Sequence, residues 1–287
     1  MGTPTMPGRA GAPSTSEWGS ELLDITAYLD RLDYGGPLEA TVDTLRRLHR
    51  AHAAALPFEN LDIMLGRDIP IDLDSIQGKL VQRLRGGYCY EHNLLFAALL
   101  DRLGYRVTRL AGRIRMGTDK TRPRSHMLLR VEVGGEQWLA DVGFGGESLL
   151  EPVRFADGET SAQDGWTYRL DRDGDGAWLL RSRHPDGWFD LYSFALEPHR
   201  RVDYDTYNYY TSTSPSSPFT RRAVVMYTEP QARHALLGHE LTTTHPDGTA
   251  ETRHLAPDEL ADTLAGTFGI VLEPEEAAHL RSRPGPH

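Results

Sequence analysis

The first third of the chain places apolar residues at the spacing of amphipathic helices. The apolar positions of this pattern are Leu22, Leu23, Ile25, Tyr28, Leu29, Leu45 and Leu48. A period near 3.6 residues is typical of helices that bury one face. Gly35-Gly36-Pro37 interrupts the pattern, and a further helix is predicted to begin at Asp74 or Ser75 and to run to Leu84.

A second helical stripe begins at Cys89, shortly after Arg85-Gly86-Gly87. Its apolar members are Leu94, Leu95, Ala98, Leu99 and Leu103. Gly104 is placed to cap its C-terminal end, since glycine accepts the left-handed backbone in which many helices finish. The pattern therefore predicts a helix whose first residue is a cysteine.

After Gly104 the pattern changes to the alternation of apolar and polar residues that is typical of strands. The alternating segments are 105–116, 126–133, 136–144, 166–172, 177–183 and 223–228. The stretch 202–219 is rich in Tyr, Ser, Thr and Pro and is predicted to be a linker or an ordered loop, whereas 258–268 is predicted to be a helix. Helices followed by antiparallel strands and then a mixed part indicate an α+β protein in three packed parts.

The composition excludes some classes of function. The 287 residues are 39% hydrophobic and 25% charged, as in an ordinary globular protein. A formal net charge of -10 argues against a general nucleic-acid binder, which needs a basic surface. No apolar stretch approaches the ~20 residues that span a bilayer, so no membrane partner is expected.

The cysteine count and the N-terminus indicate a location. A single cysteine, Cys89, cannot form an internal disulfide, and we therefore expect a reducing, cytoplasmic location. Residues 1–17 are rich in small residues, Pro and Ser and lack the apolar core of a signal peptide. This composition predicts that residues 1–17 are a disordered leader.

Cys89 is the candidate nucleophile. It begins a predicted helix, where the positive end of the helix dipole favours a thiolate over a thiol. The two glycines before it let a substrate approach the backbone closely. Free cysteine is also one of the most buried residue types, so position alone leaves core packing open as an alternative.

A predicted hairpin supplies partners for Cys89. If Gly134-Gly135 form a two-residue turn, the paired positions place His126 and Asp141 on the same face of neighbouring strands. Such diagonal neighbours are about 7–8 Å apart at the backbone, within reach of the two side chains. Asp141 lies within the apolar run WLADVGF, where an unpaired carboxylate is costly. The register thus predicts that His126 is a base and that Asp141 orients it.

A basic segment leads into His126. Between Arg106 and Arg130 there are eight basic residues and one acid: Arg106, Arg109, Arg113, Arg115, Lys120, Arg122, Arg124 and Arg130, with Asp119. This segment is either a solvated strand face or a cationic rim that attracts a phosphate-bearing substrate. Gly143-Phe144-Gly145-Gly146 follows the strand of Asp141 and is expected to let backbone amides approach phosphates.

No metal site is expected. His49 and His52 are three residues apart on a predicted helix, but no carboxylate or third ligand stands at a zincin-like spacing. They are therefore predicted to be helix-surface residues. The aspartates of 171–175 resemble the start of a calcium loop, yet Ser182 stands where that loop needs a glutamate, which favours a hairpin turn.

Taken together, these residues resemble the arylamine N-acetyltransferase family. The shared segments are PFENLD (57–62), KLVQRLRGGYCYEHN (79–93), LGYRV (103–107), SHMLLRV (125–131), ADVGFGG (140–146) and, more weakly, TSTSPSSPF (211–219). The resemblance covers most of the chain and leaves the N-terminal leader outside. RGGYCYEHN followed by a strand histidine and DVGFG is the most specific part.

The resemblance implies an α+β architecture with a cysteine-protease-like catalytic core. Its parts are a helical domain (18–104), an antiparallel β-barrel-like domain (105–203) and an α/β lid (204–287). It implies Cys89, His126 and Asp141 as the triad, in agreement with the hairpin register. By position it also implies Phe58, Phe144, Gly145 and Phe219 as substrate- or CoA-binding residues, and Arg85 as a support that ties the nucleophile loop to the PFEN segment through Glu59 or Asn60.

The family's activity would be ping-pong transfer of an acetyl group from acetyl-CoA, a co-substrate, through a Cys89 thioester to an aromatic amine or hydrazine. Three alternatives stay open at this point. The same triad serves amide synthases that close polyketide macrolactams from a carrier-bound chain. Papain- or transglutaminase-like hydrolases use related chemistry without CoA. A binding module with a fortuitous cysteine would show no activity.

Overall fold

The computed structural model of the chain describes residues 16–174 and 176–282. Of the predicted leader, residues 1–15 lie outside the described residues. The helices are α1 (Ile25–Arg31), α2 (Val42–Ala55), α3 (Leu61–Met64), α4 (Leu73–Gln77), α5 (Cys89–Arg102), α6 (Arg201–Thr213), α7 (Leu260–Phe268) and α8 (Pro274–Ser282). Within the described residues, no helix combines the length and the apolar character that crossing a membrane requires.

The strands form two sheets. They are β1 (Phe58–Glu59), β2 (Arg106–Ile114), β3 (Arg124–Val133), β4 (Glu136–Ala140), β5 (Val153–Arg154), β6 (Glu159–Gln163), β7 (Trp166–Arg172), β8 (Trp178–His184), β9 (Gly187–Phe194), β10 (Val224–Thr228), β11 (Arg233–Leu237), β12 (Glu240–Thr244) and β13 (Ala250–His254). The α+β class is therefore confirmed.

The larger sheet has eight strands in the order β5-β4-β3-β2-β9-β8-β7-β6. Its edge strands β5 and β6 lie beside each other, so the sheet curls into a nearly closed barrel. The β3–β4 hairpin turns at Gly134-Gly135, and its register runs from Val133 opposite Glu136 to Leu129 opposite Ala140, which confirms the predicted pairing. Leucine, tyrosine and tryptophan side chains of these strands fill the barrel interior.

The smaller sheet joins distant parts of the chain. Its order is β1-β10-β11-β12-β13, and Phe58 of β1 lies opposite Met226 of β10. A strand from the predicted helical domain thus pairs with the predicted lid. The domain boundaries after residues 104 and 203 stay predictions.

Two local predictions were wrong. The segment 202–219, predicted to be a linker or loop, contains helix α6. Tyr204 and Thr211 are buried on one face of this helix, and that packing outweighs the low helix propensity of its Tyr, Thr and Ser residues. The helix predicted from Asp74 or Ser75 instead begins at Leu73, because the Asp72 side chain accepts a hydrogen bond from the Ser75 amide at 2.9 Å.

Candidate active site

Cys89 opens α5, as the sequence predicts. Its neighbour Tyr88 donates its backbone N–H to the Glu91 carboxylate at 2.9 Å, which fixes the first turn of the helix. The first-turn amides of a helix take no part in intrahelical hydrogen bonds, so they stay available around the thiol. Cys89 is 4% exposed, and its Sγ lies 3.7 Å from the Ser125 carbonyl oxygen at the start of β3.

His126 and Asp141 lie against each other beside this thiol. His126 Nε2 lies 2.7 Å from Asp141 Oδ2, and both side chains are buried. Because Asp141 engages Nε2, Nδ1 is the ring nitrogen left to face Cys89. Burial alone would lower the pKa of His126, but the Asp141 carboxylate and a hydrogen bond with Cys89 raise it to about 10. The imidazole therefore carries a proton at neutral pH.

Asp141 is held in its charged form by several donors. Its Oδ1 accepts hydrogen bonds from Asn93 Nδ2 at 3.0 Å and from the Gly143 amide at 3.1 Å. Burial would raise the pKa of Asp141, yet His126 and these donors hold it below its usual range. Asn93 lies one helical turn after Cys89, so one helix carries the thiol and a donor that orients the Asp141 carboxylate. Sequence reasoning missed this role, although the spacing of four residues was a usable signal.

Gly143 packs directly on the backbone of Cys89. A Cβ at this position would lie 2.9 Å from Cys89 Cα and 3.0 Å from the Cys89 carbonyl oxygen. Real side chains do not approach that closely, so this close approach of the two backbones requires glycine. The DVGFG segment therefore places Asp141 and the backbone of Cys89 next to each other.

Aromatic rings enclose the imidazole of His126. The Phe144 ring meets it edge-on with centroids 5.2 Å apart, and the Tyr192 ring lies 4.8 Å away. Burial and the nearby Asp141 carboxylate raise the pKa of Tyr192, so its hydroxyl stays protonated. Sequence reasoning did not single out Tyr192, which lies on β9.

A cavity of about 760 Å³ opens onto Cys89 and His126. Cys89, His126 and the predicted aromatic residues Phe58, Phe144 and Phe219 line it. Its surface is largely apolar, as in most small-molecule sites. Gly145, predicted with these residues, does not line this cavity; its amide donates to Ser148 Oγ at 2.8 Å.

Arg85 lies where the resemblance placed it. Its guanidinium donates to Glu59 Oε1 at 2.9 and 3.1 Å, and both side chains are buried. The Asn60 side chain instead makes hydrogen bonds to backbone groups of residues 219–224. Lys79 is also buried, and its ammonium group lies 2.9 Å from the Glu91 carboxylate and 3.3 Å from the Asp62 carboxylate. These ion pairs join the PFEN segment to the loop before Cys89.

Of the two interpretations of 106–130, a solvated strand face and a cationic rim, the structure supports the rim at Arg122. Of the eight basic residues, Arg122 lines the cavity, whereas most of the others pair with carboxylates: Arg106 and Arg130 with Glu132, Arg109 with Asp101, Arg115 with Asp119, and Arg124 with Glu197. Asp101, Asp119 and Glu132 lie within the segment or close to it in sequence, whereas Glu197 comes from a distant part of the chain. Arg221 and Arg222, which sequence reasoning missed, also line the cavity.

The prediction that His49 and His52 are helix-surface residues was wrong. Both side chains are fully buried between α2, α5 and the barrel. Burying an imidazole costs free energy unless its nitrogens are hydrogen-bonded. Both rings find such partners far along the chain, and these offset the cost. In the part of the chain that the structure describes, no group of three or more His, Cys, Asp or Glu side chains is placed to hold a metal ion.

Comparisons with known proteins show which family the chain resembles in sequence and in fold. The family model described as N-acetyltransferase matches residues 41–277. The arylamine N-acetyltransferase of Mycobacterium tuberculosis is 38% identical over 256 residues, covering 86% of this chain and 89% of the relative. The structure of the Mycobacterium abscessus enzyme superposes with a TM-score of 0.90 at 38% identity, covering 94% of this chain and 98% of that one. The Mycobacterium marinum enzyme in complex with CoA gives a TM-score of 0.84 at 36% identity, covering 90% and 98%.

Proposed function

The chain belongs to the arylamine N-acetyltransferase family, and from this membership we propose that it transfers an acetyl group from acetyl-CoA to the nitrogen of an arylamine, an arylhydrazine or a related acceptor, through a thioester on Cys89. The observation that carries the proposal is the buried chain of Cys89, His126 and Asp141 at a largely apolar cavity. This arrangement combines a nucleophile, a proton carrier and an orienting carboxylate.

In the resting enzyme His126 holds a proton beside Cys89. The thiolate is the nucleophilic form of a cysteine, and in this proposal it attacks with the imidazolium as its counter-charge. Asp141 balances the imidazolium charge inside the protein and fixes the ring so that Nδ1 points at the sulfur. The ion pair is therefore prepared before a substrate binds.

Acetyl transfer to the enzyme then needs one exchange of thioesters. The Cys89 sulfur attacks the carbonyl carbon of acetyl-CoA, and first-turn amides of α5 stabilise the oxyanion that forms. The bond from that carbon to the CoA sulfur breaks, and His126 gives its proton to the leaving CoA thiolate. One thioester replaces another, so positioning contributes most of the rate enhancement.

The second half of the reaction returns the proton. With CoA gone, neutral His126 accepts a proton from the attacking nitrogen while the new carbon–nitrogen bond forms. The bond between the acetyl carbon and the Cys89 sulfur breaks, and thiolate and imidazolium are restored. Phe58, Phe144 and Phe219 form apolar walls that favour an aromatic acceptor over water.

Three arginines at the cavity suit the phosphates of CoA. Arg122, Arg221 and Arg222 line it, and no carboxylate among the described residues lies within ion-pair distance of them. Guanidinium groups bind phosphates well because their fork of donors matches the oxygen geometry. We therefore assign Arg122 of the 106–130 segment, together with Arg221 and Arg222, to the acyl donor.

Mass spectrometry of the intact protein mixed with acetyl-CoA tests the proposal. We expect one added acetyl group on Cys89, its loss when an arylamine or hydrazine is added, and no adduct on the Cys89→Ala variant. No adduct on a folded wild-type chain would contradict the proposal. Acylation by a carrier-bound chain but not by acetyl-CoA would favour a macrolactam-forming amide synthase, and peptide or glutamine cleavage without CoA would favour a hydrolase.

A further inference from the structure

Helix α2 presents two buried histidines to the active site. His49 and His52 are both fully buried, and both rings lie edge-on to Phe96 of α5 at 5.7 and 5.6 Å. An apolar side chain would fill this space without the cost of desolvating an imidazole. The hydrogen bonds that satisfy the two rings therefore show what histidine provides at these positions.

His49 bridges two backbone groups of the barrel. Its Nδ1 lies 3.1 Å from the Leu150 carbonyl oxygen, and its Nε2 lies 3.3 Å from the Asp141 amide nitrogen. A carbonyl oxygen only accepts a hydrogen bond and an amide N–H only donates one. Nδ1 must therefore carry the proton, and Nε2 must accept the Asp141 N–H. The tautomer of His49 is fixed by its two partners.

His52 begins a chain of hydrogen bonds that ends at the nucleophile loop. His92 Nε2 lies 3.0 Å from the Gly87 carbonyl oxygen and 3.2 Å from that of Pro57, so it must be the protonated nitrogen. Its Nδ1 must then accept from His52 Nε2, 2.7 Å away. His52 Nδ1 in turn accepts the hydroxyl proton of Tyr28. Every bond in this chain has one allowed direction.

The two histidines therefore reach opposite sides of the triad. His49 ends at the backbone of Asp141. The His52 chain ends at Gly87, two residues before the nucleophile, and at Pro57, whose neighbour Phe58 lines the cavity. The Phe58 ring lies nearly parallel to His92, with an interplanar angle of 5°.

We propose that α2 is the positioning element of the active site: His49 orients Asp141, and His52, through His92, orients the backbone that leads into Cys89. Neither histidine touches the reacting atoms, so both are positioning residues. The inference rests on the proposed function in that it takes Cys89 as the nucleophile.

Burial is consistent with the neutral tautomers that this role requires. Desolvation lowers the pKa of His49 and of His92 to about 4, and that of His52 well below its ordinary value. Each ring therefore keeps one donor and one acceptor at neutral pH. A proton added to His49 Nε2 would point at the Asp141 N–H and remove that hydrogen bond.

Two substitutions of His49 separate positioning from core packing. A glutamine oxygen reaches the place of Nε2, so His49→Gln keeps an acceptor for the Asp141 amide. An asparagine amide reaches only the place of Nδ1, so His49→Asn keeps a donor for Leu150 and loses that acceptor. If His49 only fills space, the asparagine and glutamine variants should differ in stability but not in the pH dependence of the reactivity of Cys89.

The readout is the rate of Cys89 alkylation by iodoacetamide between pH 6 and pH 9, with circular dichroism as the check of folding. We expect His49→Gln to stay within about twofold of wild type. For His49→Asn we expect a loss of about tenfold or more at pH 6 and a smaller loss at pH 9, because a loosely held Asp141 stabilises the imidazolium less. Partial unfolding would give the slow pH 6 rate of a free thiol, so circular dichroism at both pH values must show the folded state.

The outcomes distinguish this inference from the proposed function. A wild-type thiol that reacts at pH 6 no faster than a free thiol overturns the nucleophile, and the inference with it. An accelerated wild type with the same pH profile in both variants overturns the inference alone.

Nitrogen-15 NMR of the histidine-labelled wild-type chain tests the His52 arm without any substitution at that site. We expect the proton on Nδ1 of His49 and on Nε2 of His52 and His92. A different tautomer at any of the three rings contradicts the arrangement.

Discussion

Lowering the pH from 7 to 5 should destabilise the fold through the buried histidines of α2 and α5. Burial lowers the pKa of His49 and of His92 to about 4, whereas a histidine in an unfolded chain has a pKa of about 6.5. Because the folded-state values are lower, the unfolded chain binds the additional protons. The stability that these neutral rings contribute is complete above about pH 6.5 and is lost as the pH falls toward 4.

The two pKa values set the size of the effect. Each histidine should reduce the free energy of unfolding by about 2 kcal/mol between pH 7 and pH 5, so the pair accounts for about 4 kcal/mol. His52, whose pKa burial also lowers, acts in the same direction. Natural domains are stable by only about 5–15 kcal/mol, so the loss is a large share of the total.

His126 acts in the opposite sense and must be separated from the others. Its pKa is raised to about 10, so its contribution is fully present below about pH 6.5 and is lost as the pH rises toward 10. The wild-type curve alone therefore mixes both effects. A comparison with a variant that lacks one buried ring isolates that ring.

The assay is urea unfolding of wild type and His49→Gln at pH 7, 6 and 5. The variant lacks the titrating group, so its loss of stability between pH 7 and pH 5 should be smaller by about 2 kcal/mol. His254→Gln on β13 is the matched control, and it should follow the wild type because that exposed side chain keeps its water in both states. Equal losses in wild type and His49→Gln would refute the reasoning.

Three further predictions concern the triad and its supports. Asp141→Asn should fold, by circular dichroism, yet lose about 10³–10⁴-fold in acetyl-transfer rate, because a neutral amide does not stabilise the imidazolium. Gly143→Ala should lower both activity and melting temperature because its Cβ would lie 2.9 Å from Cys89 Cα, whereas Gly266→Ala, with open space around the new methyl group, should leave both unchanged or stabilise α7 by about 0.5–1 kcal/mol. Arg85→Leu should cost about 3–5 kcal/mol in chemical unfolding because it leaves buried carboxylates unpaired.

The contact between His126 and Asp141 was predictable because local rules determine the register of a tight hairpin. Two glycines between alternating segments define a two-residue turn, and each paired position follows from it. His126 and Asp141 are 15 residues apart, so no long-range packing intervenes. The helix that begins at Cys89 was similarly local, since its stripe and its flanking glycines lie within one segment.

The buried histidines were not predictable because their partners lie far along the chain. His49 binds the backbone at Leu150, and His52 binds His92. A pair of histidines at helical spacing looks the same in sequence whether water or a distant carbonyl satisfies the rings. In the basic segment the Arg124–Glu197 pair is of this kind, whereas Arg109 pairs with Asp101 only eight residues away.

Asn60 shows how one side chain from the first part of the chain holds the opposite wall of the cavity. Its Nδ2 donates to the carbonyl oxygens of Phe219 and Arg222 at 2.7 and 2.9 Å, and its Oδ1 accepts the Val224 N–H at 2.7 Å. Phe58 precedes Glu59, whose backbone N–H donates a hydrogen bond to the Gly87 carbonyl oxygen. This bond holds Phe58 beside the loop that leads into Cys89. The cavity wall at Phe219 and the loop before Cys89 are thus both fixed to the short PFEN segment. The Asn60 amide and the Glu59 backbone therefore determine the relative position of Phe219 and the loop before Cys89.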